Sequence, residues 1–291
     1  EHKLDGLVCF GGSATQKLAL RLKQDGVNVI TLPKSITNHI AGTENCIGFD
    51  SALTIAAESI DRLHTTAHSH HRIILVEVMG EDSGWLALGS GITGGADVIL
   101  IPEIPYHVDK VAAAIQDRSS KGKRFSLVAV SQGAISEEDN RFFSRAHQVN
   151  QYLRGGKEDF NKVENQLVEI EEDFTGKSID IAQRLSQATQ IETRITILGF
   201  LQRGGSPTPT DRMLATMLGT MSAKFAAEEH WGVMTASVAS KAVPVPLEEV
   251  AGNKNRVPLD HCWLETARKV GTNLGIPDEE LRELLAEAKK G

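Results

Sequence analysis

The sequence predicts a doubly wound α/β fold, in which helices cover both faces of a mostly parallel sheet. Short apolar segments with strand character alternate with amphipathic segments long enough for helices, and the links between them are short. The segment "RIILVEVM" (72–79) is a continuous apolar run, which is typical of a buried parallel strand. At 291 residues, the chain can bury a substantial core as one large or two medium domains.

The individual elements follow from this alternation. Apolar runs rich in β-branched residues predict strands at 4–10, 27–32, 72–79, 96–102, 124–130 and 194–200. Apolar residues at helical spacing predict helices at 15–24, 51–64, 85–92, 108–121, 177–190 and from about Thr210. The segment "PVPLEEVAGNKNRVPLDHCW" is predicted to be extended and loop-like, and "IPDEELRELLAEAKK" to form the last helix.

Ligands of such folds bind at the carboxyl ends of the parallel strands. We therefore expect the loops at 11–15, 33–44, 79–84 and 131–135 to gather around a site.

One segment interrupts the alternation. Residues 136–175 are polar and charged and lack strand signals, which predicts an inserted loop and helix. The predicted organisation is an α/β lobe at 1–135, an insertion or linker at 136–175, and the remainder of the fold at 176–291.

Composition excludes several classes of function. No window approaches about 18 uninterrupted apolar residues, so we expect no membrane span, and residues 1–13 lack the pattern of a signal peptide. The formal net charge of -7 argues against nucleic acid as the main partner. Cys9, Cys46 and Cys262 are too widely spaced for a disulfide framework or a metal site. These features predict a cytoplasmic protein.

Four motifs occur in order: "GGSAT" after the first strand, "LPKSITNHIAGTE", "HRIILVEVMGEDSGWLAL" and "TRITILGFLQRGGSPTPTDR". Together they resemble the 6-phosphofructokinase family, whose equivalents are of the type GGDGS or GGNGT, PKTIDNDIxGTD, HxRxxxVEVMGRxxGWLA and TRxTxLGHxQRGGxPxxxDR. The resemblance implies two Rossmann-like lobes. The first lobe is expected to be incomplete, because the family's first strand and Gly-rich nucleotide loop have no counterpart here. Either the chain is a fragment or that half of the sheet is absent.

The resemblance also implies a reaction, the transfer of phosphate from ATP or pyrophosphate to the C1 hydroxyl of fructose 6-phosphate. Such chemistry requires Mg²⁺ on the phosphates, a carboxylate that takes the hydroxyl proton, and cations that hold the sugar phosphate.

The positions that match the family's carboxylates have lost their acids. In the loop Gly11-Gly12-Ser13, which the resemblance assigns to the phosphoryl donor, Ser13 replaces the acid on the Mg²⁺ side. Thr37 replaces the catalytic base, and its hydroxyl is not basic near neutral pH. His39 replaces the second aspartate; an imidazole can act as a base, but it lies two positions along the loop.

At the other motif positions, some residues differ from those of the family and others are the same. Glu81, Gln132 and Phe200 stand where the resemblance implies an arginine, a sugar-binding glutamate and a histidine. The matches to substrate-binding positions are Arg72, Met79, Gln132, Arg194 and Arg203, and Lys34 stands at a position where pyrophosphate-type members and some ATP-using ones have lysine.

The resemblance implies active sites that are shared between neighbouring subunits, and the lost and retained residues differ in which subunit's site they serve. There, the residues that match Arg72 and Arg194 reach the sugar phosphate of a neighbouring subunit, and both are retained. Most residues used within the same subunit are lost. The alternative for each arginine is a surface or interface ion pair.

The run "HTTAHSHHR" (64–72) suggests metal binding, but no Cys or acid joins it at ligand spacing. We interpret it as a solvated turn, and we expect no metal site.

The sequence therefore predicts a catalytically degenerate 6-phosphofructokinase homologue, which acts as a regulatory subunit or binds a phosphorylated sugar. As part of a homo- or hetero-oligomer, it would complete a partner's fructose 6-phosphate site. One alternative is an active phosphotransferase that uses Mg²⁺ with ATP or pyrophosphate, with His39 as base or with a different substrate. Another is a protein-binding module in which the anion site is unused.

Overall fold

The computed structural model describes residues 4–140 and 177–288. Its strands are β1 (Leu7–Gly11), β2 (Val29–Pro33), β3 (Ile73–Val78), β4 (Val98–Leu100), β5 (Ser126–Ser131), β6 (Thr193–Ile197), β7 (Val233–Val238) and β8 (Lys241–Pro246). Its α-helices are α1 (Ser13–Gln24), α2 (Phe49–His70), α3 (Trp85–Thr93), α4 (Val108–Ser120), α5 (Lys177–Thr189), α6 (Pro209–Ala227), α7 (Leu247–Val250), α8 (Cys262–Lys269) and α9 (Asp278–Ala288). A 3₁₀ helix, Gly199–Arg203, follows β6.

The strands form two sheets, which confirms the predicted α/β class. The first sheet has the order β1-β2-β7-β8, and its strands are parallel except for β8, which runs antiparallel to β7. The second sheet has the order β4-β5-β3-β6 and is parallel throughout. Strand β3 pairs with β5 and β6 and is buried along almost its whole length, as its continuous apolar sequence predicts.

Each sheet combines strands that precede and follow the segment 136–175. The first sheet joins β1 and β2 to β7 and β8, and the second joins β3, β4 and β5 to β6. The predicted insertion lies outside the described residues from 141 onward. The three-part division of the chain therefore stays a prediction.

All six strands and the helices predicted up to α6 are found within a few residues of their expected limits, except that α2 ends at His70 instead of His64. Three predictions were wrong, and the third, the histidine-rich run, is described below. Strand β7 was missed because Thr235 and Ser237, which are buried, interrupt its apolar pattern. The segment 244–263 was predicted to be extended, but it contains the end of β8, the helix α7 and the start of α8. Strand β8 tolerates two prolines because it is an edge strand.

The histidine-rich run also differs from its prediction. Helix α2 continues to His70, so His64 and His68 lie on a helix rather than in a turn. Ala67 is fully buried beneath this last part of the helix and extends its packing face. His64 Nε2 donates to the carbonyl of Gly94 at 2.6 Å, which gives this histidine a structural role.

A buried carboxylate joins the amino end of α2 to α6. Asp211, which is 3% exposed, accepts hydrogen bonds from the Gly48 N–H (2.8 Å), the Ser51 N–H (2.8 Å) and the Ser51 hydroxyl (2.5 Å). The carboxylate thus lies at the amino ends of both α2 and α6, where the helix dipoles favour negative charge. Within residues 4–140 and 177–288, we find no helix with the length and apolarity that crossing a membrane requires.

Candidate active site at the carboxyl ends of the strands

The loops predicted to gather do meet at the carboxyl ends of β1, β2, β3 and β5. The Lys34 N–H donates to the carbonyl of Gly11 at 3.2 Å, which joins the first two loops. The Ser83 hydroxyl donates to the carbonyl of Thr37 at 2.9 Å, which joins the loop after β2 to the loop after β3. The Gly133 N–H donates to the carbonyl of Gly80 at 2.8 Å, which brings in the loop after β5.

The centre of the loop after β2 is a cluster of two hydroxyls and an imidazole. Thr37 Oγ1 lies 2.7 Å from His39 Nδ1, and Ser35 Oγ lies 3.0 Å from the same nitrogen. The two hydroxyl oxygens are 3.2 Å apart, and the Thr37 N–H donates to Ser35 Oγ, also at 3.2 Å. The residues at the two lost aspartate positions are therefore hydrogen-bonded to each other.

Burial controls the protonation of His39. Desolvation lowers its pKa below the ordinary value, because the partly buried ring is a poor place for a positive charge. The carboxylate of Asp82 opposes this shift, and the ammonium of Lys254 reinforces it. Lys254 and Asp82 also form an ion pair with each other. The partly buried site therefore favours the neutral form of the imidazole, which can accept a proton.

The segment around Asn255, here called the Asn255 strap, holds this loop in place. The Asn255 N–H donates to the carbonyl of His39, and its side chain donates to the carbonyl of Asn38, both at 2.9 Å. Asn38 has a positive φ of 54° and accepts from the Cys46 N–H at 2.8 Å. Trp85 Nε1 donates to the carbonyl of Asn255 at 3.1 Å, so the same strap contacts helix α3.

The loop after β5 packs against the loop after β3 without space for a side chain. A Cβ atom on Gly133 would lie 1.9 Å from the carbonyl oxygen of Glu81, so only glycine fits there. Gln132 next to it donates to Glu77 Oε1 at 3.2 Å, and the Ser178 hydroxyl donates to Glu77 Oε2 at 2.6 Å. The amide of Gln132 is thus held by the protein itself.

The 3₁₀ helix after β6 contains Phe200 and Arg203 and contacts Met79. The Met79 N–H donates to Gln202 Oε1 at 3.2 Å, which holds the 3₁₀ helix against the end of β3. Beside Gln202, the guanidinium of Arg203 lies over the ring of Phe200, 4.9 Å from its centroid. The Phe200 side chain is 76% exposed, so the residue at the lost histidine position now presents an apolar surface.

Arg72 and Arg194 lie apart from these loops. Arg72 directly precedes β3, and Arg194 is the second residue of the neighbouring strand β6, so both lie at the amino ends of the parallel strands. From Arg72 to Met79 the strand spans roughly 23 Å, at about 3.3 Å per residue. Both guanidinium groups bind the carboxylate of Glu192, with an N–O distance of 2.7 Å for Arg72.

Comparison with known proteins agrees with the motifs. The family model described as phosphofructokinase matches residues 1–226. The ATP-dependent 6-phosphofructokinase of Propionibacterium freudenreichii subsp. shermanii is 50% identical over 277 residues, which cover 94% of this chain and 74% of that relative. The enzyme of the same name from Spirochaeta thermophila is 45% identical over 276 residues, with 94% and 70% coverage. The chain belongs to the phosphofructokinase family.

The fold of this phosphofructokinase homologue agrees with that of a solved structure. The pyrophosphate-dependent phosphofructokinase from Marinobacter aquaeolei superposes with a TM-score of 0.70 over 99% of this chain and 68% of the other. At 20% sequence identity, this likeness supports the shared fold alone.

The donor loop of this phosphofructokinase homologue does not offer the ligands that Mg²⁺ prefers. Mg²⁺ is usually bound through one or two carboxylates together with substrate phosphates, whereas Ser13 and Thr37 carry hydroxyls. The Ser13 Oγ is buried and has no hydrogen-bond partner among the described residues. Within those residues, no three His, Cys, Asp or Glu side chains are grouped so as to hold a metal ion. We therefore assign no residue of this phosphofructokinase homologue to a metal.

Several residues that shape this site were not found from the sequence. Asn255 and Lys254 lie in the segment that was predicted to be loop-like, and Asp82 and Ser35 lie beside motif positions. A polar residue in an irregular segment has no periodic signal, and its partners become known only when the chain is folded. The Asn255 strap could therefore be found only in the structure of this phosphofructokinase homologue.

Proposed function

We propose that this chain is a catalytically degenerate phosphofructokinase homologue, a non-catalytic or regulatory subunit that binds a phosphorylated sugar. The observation that carries this proposal is the hydrogen bond of 2.7 Å between Thr37 and His39. The two positions that match the family's catalytic loop acids hold a hydroxyl and an imidazole that contact each other, so neither position offers a carboxylate to take the proton of a sugar hydroxyl.

The energetic consequence is large. The loss of a positioned general base typically costs a factor of about 10²–10⁴ in rate. The hydroxyl of Ser13 adds to this loss, because it cannot supply the negative charge with which a carboxylate attracts Mg²⁺. Gln132, which donates to Glu77, also leaves the sugar without a carboxylate partner at that position.

The retained arginines support a role in an oligomer. Arg72 and Arg194 lie at the strand ends opposite to this chain's own loops, which supports a role at a neighbouring subunit's site rather than at its own. We propose a cytoplasmic homo- or hetero-oligomer with phosphofructokinase-type subunits, in which these arginines bind the partner's sugar phosphate.

The first test uses the chain as a homo-oligomer. Purified protein should phosphorylate fructose 6-phosphate no faster than a sample without enzyme, with Mg²⁺ and either ATP or pyrophosphate as donor. The measurement is the formation of fructose 1,6-bisphosphate. Turnover that survives repeated purification and follows the protein through chromatography would contradict the proposal.

A second candidate is an active phosphotransferase with His39 as the base. The lowered pKa of His39 favours it, since a neutral imidazole can take a proton at pH 7. Its phosphoryl donor would be ATP, as the names of the two relatives indicate for those enzymes, or pyrophosphate. In the same assay, this candidate requires turnover that His39→Gln abolishes.

A further inference from the structure

We propose that Thr37 is a nucleophile that this chain phosphorylates on itself, with a phosphoric anhydride as donor and His39 as the base. This inference does not depend on a partner subunit or on sugar binding. It assigns a covalent modification site to the loop after β2, in place of transfer to an external hydroxyl.

The contacts around Thr37 are compatible with a hydroxyl proton that points to His39. A neutral imidazole has one acceptor nitrogen, and Thr37 Oγ1 is the closer of the two hydroxyls to His39 Nδ1, at 2.7 Å against 3.0 Å for Ser35 Oγ. In the proposed arrangement His39 carries its proton on Nε2, so Thr37 donates to Nδ1. The Ser35 hydroxyl, which accepts from the Thr37 N–H, then donates to Thr37 Oγ1 at 3.2 Å.

This arrangement is that of a nucleophile with an adjacent base. A hydroxyl within about 2.6–3.2 Å of a neutral base is the geometry by which serine and threonine are activated. The Asn255 strap holds the main chain of the base, because its N–H donates to the carbonyl of His39. The geometry is thus fixed by the fold before any ligand binds.

The loop that carries Thr37 begins beside the amino end of helix α1, and helix amino ends are sites where phosphate groups bind. The loop after β1 ends at the amino end of the twelve-residue helix α1, whose first turn contains no acidic residue. There the buried Ser13 Oγ has no partner among the residues that the structure describes. The Lys34 N–H donates to the carbonyl of Gly11, so the first residue after β2 adjoins the loop that leads into α1, and the Lys34 side chain is exposed.

The reaction forms a bond between Thr37 Oγ1 and the terminal phosphorus of the anhydride. The bridging phosphorus–oxygen bond breaks, and its electrons leave with the nucleoside diphosphate or with inorganic phosphate. The proton of Thr37 moves to His39 Nδ1 and from there to solvent. The product is a phosphothreonine, and no oxidant or further reactant is needed.

The experiment measures phosphate incorporation into the full chain. Purified protein is incubated with the magnesium salt of ATP or of pyrophosphate, and the phosphorylated residue is identified by peptide mass spectrometry. We expect one phosphoryl group per chain on Thr37 with at least one donor. Thr37→Val should abolish it, and His39→Gln should slow it by about 10²–10⁴.

Two controls keep the result interpretable. His70→Gln, an exposed histidine at the end of α2, should incorporate phosphate at the wild-type rate. Thermal unfolding of each variant verifies that Thr37→Val and His39→Gln remain folded.

Three results would overturn the inference: no incorporation with either donor, incorporation at another residue, or an unchanged rate in folded His39→Gln. None of these affects the proposed role as a degenerate subunit, because that role is tested by sugar phosphorylation. Conversely, turnover of fructose 6-phosphate would contradict that role while leaving phosphorylation of Thr37 measurable.

Discussion

In a mixed assembly with an active phosphofructokinase, Arg72→Ala or Arg194→Ala in this chain should raise the apparent Michaelis constant for fructose 6-phosphate by about ten- to a hundred-fold. Each guanidinium would donate a charge-assisted hydrogen bond to the partner's sugar phosphate, and such bonds contribute about 1.5–3 kcal/mol. The measurement is sugar-phosphate kinetics of the co-expressed hetero-oligomer, whose composition is verified by mass.

Glu192 supplies the decisive comparison, because it binds both arginines in the structure. If the arginines serve a partner's site, Glu192→Gln keeps both cations and should not raise the Michaelis constant. If they matter only as ion-pair partners, the Glu192 variant should have the same effect as the arginine variants. Arg282→Ala, which removes an exposed arginine of α9, is the matched control and should change nothing. Unchanged kinetics in the Arg72 and Arg194 variants would contradict donation to the partner.

Asp211→Ala should lower the free energy of unfolding by about 3–4 kcal/mol. Hydrogen bonds to a charged group contribute about 1.5–3 kcal/mol each, and buried donors left without an acceptor cost more than the bond itself contributed. The Gly48 N–H, the Ser51 N–H and the Ser51 hydroxyl would all lose their acceptor. Denaturant unfolding followed by circular dichroism measures the change.

The control for this variant is an exposed aspartate at the end of a helix. Asp25→Ala, at the carboxyl end of α1, should stay within about 0.5 kcal/mol of wild type. A loss below 1 kcal/mol for Asp211→Ala would show that water replaces the carboxylate and that the connection between α2 and α6 contributes little to stability.

Most strands and helices could be predicted from the sequence, because burial leaves a clear pattern of apolar residues. Strands β3 and β5 are buried on both faces, so their residues are almost all apolar and their limits were predicted closely. Strand β7 has Thr235 buried against the Ser222 hydroxyl at 2.7 Å, and this polar pair hid the strand. Which strands pair across the chain could not be predicted, because it depends on contacts between distant segments.

The residues of the candidate site could be predicted from the sequence, but the contacts between their side chains could not. Motifs placed Thr37 and His39 in one loop, and the loop indeed lies at the carboxyl end of β2. That the two side chains bind each other depends on the backbone of Asn38, whose positive φ follows from tertiary hydrogen bonds. The shared binding of Arg72 and Arg194 to Glu192 likewise required the pairing of β3 with β6. Their functional roles stay predictions.

The pairing of β2 with β7 has a consequence for synthesis of the chain. Strand β2 lies near the beginning of the sequence and β7 near its end, so the first sheet brings together segments of very large sequence separation. The second sheet is complete once β6 has emerged from the ribosome, whereas β1 and β2 must wait for β7 with one side of β2 unpaired. Contacts of such high contact order form slowly. Of the two sheets described, the first therefore leaves a strand edge unpaired for longer during translation.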